Sequence, residues 1–106
     1  MLTQAKIQNI VNQIVKAENP DKVILFGSYS SGQATPQSDL DLLVIQDTPL
    51  SPYQRSRNIR RALRGIGVPL DLLIYTNEEI NAWKNEKMAF VTKILQQGKI
   101  VWSKHG

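Results

Sequence analysis

With 106 residues, 42% of them hydrophobic, the chain has the length and core material of one domain spanning 1–106. It has no cysteine, which excludes disulfides and thiolate metal sites; no apolar run nears the roughly 18 residues of a membrane span, and no signal peptide is evident, so a cytoplasmic protein without membrane contact is expected. Thirteen Lys and Arg against nine Asp and Glu give a net charge of +4, which suits anionic partners without selecting one.

Residues 3–18 carry Ile7, Ile10, Val11, Ile14 and Val15 at helical spacing, and Asn19-Pro20-Asp21 ends the pattern. Lys22 to Phe26 is a short apolar strand that runs into Gly27. Residues 28–38 are rich in Ser, Gly, Thr, Pro and Gln and are expected to be loop. Residues 39–45 form a second strand, whose Leu42 to Ile45 portion shows no polar alternation and is expected to be covered on both faces. A second helix is expected over 53–65, with Ile59, Ala62, Leu63 and Ile66 as its inner stripe. A third strand spans 68–75. Thr76-Asn77-Glu78-Glu79 has the form of a capping box opening a third helix. A fourth helical pattern surrounds Ala89, Phe90, Ile94 and Leu95, and Lys99 to Trp102 is a last extended piece after Gly98. The expected class is α/β (α+β), a small mixed sheet flanked by helices.

Strands normally exclude Asp. Asp39 and Asp41 are therefore informative, because their period-2 spacing points both carboxylates to one face of a strand. Their mutual repulsion calls for a cation, and Mg²⁺ favours paired carboxylates together with substrate phosphates. Asp71 lies inside another apolar strand. If the second and third strands are neighbours, three carboxylates converge, enough for one or two Mg²⁺ or for two ligands and a general base. Taken singly, Asp39 could cap the loop, Asp41 could form an ion pair and Asp71 could sit at a strand edge. Gly27 allows close backbone approach and Ser28 adds a donor, which suits a triphosphate. Ser38, beside Asp39, is a further candidate nucleotide contact, with closure of the loop by hydrogen bonding as its competing role.

Gly27-Ser28, a ten-residue loop and Asp39-x-Asp41 resemble the signature of the nucleotidyltransferase superfamily related to DNA polymerase beta. The short chain is similar in particular to the minimal nucleotidyltransferases, which act as antitoxin partners of HEPN-domain toxins. The resemblance implies Asp39 and Asp41 as Mg²⁺ ligands, Asp71 as the third carboxylate and Gly27-Ser28 as the triphosphate holder. It also implies ATP as donor, AMP transfer to protein as the reaction and a cognate HEPN toxin as partner. Many relatives have a basic residue before the second loop glycine, whereas Ser31 precedes Gly32 here. Two other functions fit the same residues: a binding module that neutralises a toxin by occlusion, or transfer to a small molecule or RNA. The short chain after Asp71 favours an acceptor brought by a separate protein.

Arg55, Arg57, Arg60, Arg61 and Arg64 fall within ten residues, with no acid among them. They form either a solvated helix face or an electropositive surface for an acidic partner or a polyphosphate. No nucleic-acid module is recognisable. His105, the single histidine, stands next to the C-terminal residue and is expected to be a tail residue without catalytic part. Trp83 and Trp102 are expected in the core or at an interface, Tyr53 and Tyr75 are expected to pack, and Tyr29 either borders the nucleotide or covers the loop.

Overall fold

The structure, a computed structural model, describes residues 1–83 and 90–105. Helix α1, Gln4–Glu18, starts where Thr3 Oγ1 accepts a hydrogen bond from the Lys6 amide at 3.1 Å. It ends at Asn19, whose left-handed backbone (φ 46°) lets its amide donate to Val15 O at 2.7 Å. Strands β1 (Lys22–Phe26), β2 (Leu40–Ile45), β3 (Leu70–Tyr75) and β4 (Lys99–Ser103) form one sheet in the order β3-β2-β1-β4. β1 is antiparallel to β2 and β4, while β2 and β3 are parallel, so the sheet is mixed.

Parallel neighbours need a crossover. Here it consists of α3 (Pro52–Arg55) and α4 (Arg57–Ala62), two short pieces with Ser56 between them. This replaces the continuous helix expected over 53–65. Arg60 restarts the ladder from the Ser56 carbonyl; Ile59 and Leu63 are buried and Ile66 packs against the same core, while Ala62 is exposed. Residues 28–31, expected as loop, form the single turn α2 (Ser28–Ser31), closed by Gly32 at φ 80°. Helices α5 (Asn77–Trp83) and α6 (Phe90–Gln97) follow β3. Ala89, expected in the fourth helix, lies outside the described residues.

The apolar run of β2 feeds two cores, as alternating side chains must. Leu42 and Val44 join Val23, Leu25, Leu72 and Ile74 under α1 and α4. Leu43 and Ile45 join Ile24, Phe26 and Ile94 under α6. Among the described residues no helix is long and apolar enough to cross a membrane.

Candidate active site

Register decides what meets at the site. β2 and β3 pair with Asp41 opposite Asp71, and β1 and β2 pair with Phe26 opposite Asp41. Asp41 shares the face of Leu43 and Ile45, so the two carboxylates stand on the α6 side of the sheet, at the end where β1 delivers Gly27. Burial, then the charges of Asp71 and Asp39, raise the Asp41 carboxyl above its ordinary pKa.

Asp39 sits one residue before β2 and is exposed. Among the described residues no three acidic side chains enclose one ion. The convergence expected of three carboxylates is thus closed by Asp41 and Asp71, with Asp39 acting on Asp41 through space.

Gly27 has φ 74° and ψ −154°, a conformation costly for any other residue. A Cβ there would also collide with Asp41 Oδ2. The turn after it is closed by the Gly27 carbonyl, which accepts from the amides of Ser30 (3.0 Å) and Ser31 (3.1 Å). Gly27, Ser28, Ser30, Ser31 and Gln33 line one side of a cleft of about 560 Å³ whose floor holds Asp41 and Asp71. Phe90, Lys93 and Gln97 of α6 line the other side. Lys93 was not singled out by sequence, since a lysine on an amphipathic helix usually marks a solvated face.

Other residues lie elsewhere. Ser38 Oγ accepts from the Thr35 amide at 2.8 Å, which closes the loop, and it does not line the cleft. Tyr29 packs on the core, and its hydroxyl accepts from the Leu2 amide at 3.1 Å. Tyr53, expected to pack, is 93% exposed, and Trp83 is about half-exposed. Arg55 leaves the arginine cluster, because it pairs with Glu79 at 2.6 Å. Arg57, Arg60, Arg61 and Arg64 line a separate groove of about 590 Å³ with Ser56.

Comparison with known proteins agrees with this geometry. The polymerase beta nucleotidyltransferase family matches residues 6–105. A protein of Methanocaldococcus jannaschii, provisionally named protein adenylyltransferase MJ0604, is 30% identical over 81 residues, 76% of this chain and 77% of that protein. A chain of a toxin–antitoxin complex solved with AMP-PNP superposes with a TM-score of 0.61 at 22% identity, covering 91% of this chain and 73% of that one. A chain of the complex of tri-AMPylated Shewanella oneidensis HEPN toxin with MNT antitoxin gives 0.58 at 18% identity, covering 97% and 75%. These two likenesses speak for the fold. The family match takes in the glycine turn, both strands that bear the carboxylates and the helix across the cleft, and the protein belongs to the polymerase beta nucleotidyltransferase family.

Proposed function

We propose that the protein transfers AMP from ATP to a hydroxyl of a partner protein, with a HEPN-domain toxin as the acceptor class. The observation that carries this reading is the Asp41–Asp71 pair set beside the Gly27–Ser28 turn in one cleft. The name of the M. jannaschii relative and the AMPylated toxin bound to a chain of the same fold support the choice of donor and acceptor.

Asp39, Asp41 and Asp71 offer hard carboxylate oxygens of the kind Mg²⁺ takes, and the raised pKa of Asp41 marks a spot where a cation is favourable. One or two Mg²⁺ held there would neutralise phosphate charge as it develops. Ser28 and the close-approach turn receive the triphosphate. The acceptor oxygen attacks the α-phosphorus, the bond from that phosphorus to the bridging oxygen breaks, and pyrophosphate leaves. Asp71, the more exposed carboxylate of the pair, takes the proton of the attacking hydroxyl.

The test is incubation with ATP labelled at the α-phosphate, Mg²⁺ and a candidate HEPN-domain partner. Label is expected on the partner protein, and Asp41→Asn should reduce it by about 100-fold or more. Undiminished labelling by Asp41→Asn would show that the carboxylate pair is not the reacting centre.

A further inference from the structure

We propose that Lys93 is the positioning residue for the donor's polyphosphate, so that α6 supplies the positive charge that the glycine turn lacks. The proposal rests on the nucleotide reading above. Phe90, Lys93, Ile94 and Gln97 follow one another at i, i+3, i+4 and i+7, and all four line the cleft. One stripe of α6 is therefore a wall facing the carboxylates.

That wall is fixed in place. Ile94 is buried with Ile24 and Phe26 of β1, the strand that ends at Gly27. A Cβ on Gly98 would run into Ile24 Cγ2 and the Ile94 carbonyl, so the end of α6 lies directly on β1. Lys93 itself is exposed and lines the cleft.

Charge makes the case. Ser28, Ser30, Ser31 and Gln33 on the turn side carry no charge, and Asp41 and Asp71 are acids. Two of the turn's amides, those of Ser30 and Ser31, are already spent on the Gly27 carbonyl. Among the described residues that line the cleft, Lys93 is the one base. The arginine groove shares no lining residue with the cleft, and α4 packs on the other face of the sheet from α6. A lysine ammonium is a compact point charge that suits a polyphosphate.

Titration calorimetry of the full chain with Mg-ATP and with AMP tests the assignment. Lys93→Met should weaken Mg-ATP by about 10-fold and leave AMP, which lacks the β- and γ-phosphates, nearly unchanged. Lys93→Arg should restore most of the lost affinity, and added salt should weaken Mg-ATP binding less in Lys93→Met than in the wild type. Equal Mg-ATP affinity in wild type and Lys93→Met would overturn this assignment and leave the nucleotide reading standing. A parallel loss of ATP and AMP affinity would overturn it as well, pointing to a general packing role. If the wild type binds no Mg-ATP, this proposal and the nucleotide reading fall together.

Discussion

Gly27 and Asp41 are one unit rather than two signals. Sequence reasoning assigns Gly27 to the approach of a phosphate, yet the structure gives it a nearer neighbour, since any Cβ would strike Asp41 Oδ2. Gly27→Ala should therefore cost roughly 1–3 kcal/mol through its positive φ alone, with the collision on top. In a double-mutant cycle read by denaturant unfolding, Asp41→Gly should recover part of that loss without recovering transfer. Strict additivity of the two stability changes would show that the residues do not press on each other. Titration of Asp41 adds a second test. Its folded pKa is raised, so the stability linked to its protonation is complete in acid and is lost as pH rises through that pKa. Asp41→Asn should thus melt higher than wild type at neutral pH in chelator, and the gap should close as pH falls below the ordinary carboxylate range. A gap independent of pH would rule out the charge explanation.

The elements show what a linear reading can and cannot reach. Short apolar runs and turn residues locate all four strands within two residues of their observed bounds, because those signals are local. The in-phase relation of Asp39 and Asp41 is local too. The meeting of Asp41 with Asp71 depends on β2 lying beside β3, which only the sheet order decides. Lys93 depends on where α6 docks, and the break at Ser56 on how the crossover fits its packing. The capping box at Thr76 was legible and forms reciprocally: the Glu79 amide donates to Thr76 Oγ1 at 3.1 Å, and the Thr76 amide donates to Glu79 Oε1 at 2.8 Å. Its link to Arg55 was not legible, since the partner lies 24 residues away. Burial pushes the Glu79 carboxyl up, but the Thr76 amide and then Arg55 outweigh it and hold the pKa below its ordinary value. Stability from Glu79 is therefore present at neutral pH and lost as pH falls through that lowered pKa. Glu79→Ala should cost about 1–2 kcal/mol at neutral pH, the scale of a lost cap. The difference from wild type should shrink in acid. An unchanged unfolding midpoint at neutral pH would show that the cap and ion pair add nothing.

Across the whole molecule the sheet separates two kinds of surface. The cleft with Asp41, Asp71 and Lys93 opens on the α6 side, whereas Arg57, Arg60, Arg61 and Arg64 belong to α4 and the turn after it, mounted on the α1 side through Ile59 and Leu63. All four arginines are exposed, and among the described residues the one ion pair is Arg55–Glu79, which uses none of them. Sequence alone left two uses for this cluster, a polyphosphate or an acidic partner. Its separation from the cleft favours the partner, since a guanidinium that holds the triphosphate has to line the space where the triphosphate lies. Exposed charges of this kind act mainly on the rate and salt dependence of association. Joint replacement of Arg57, Arg60 and Arg64 by Glu should slow association with the acceptor protein by about 10-fold or more at low salt. The deficit should narrow as salt screens the wild type, and Mg-ATP affinity should hold near the wild-type value. Stopped-flow association and nucleotide calorimetry on the same variant separate the two uses. Loss of Mg-ATP affinity with association intact would return the arginines to the triphosphate and show that the groove and the cleft act as one site.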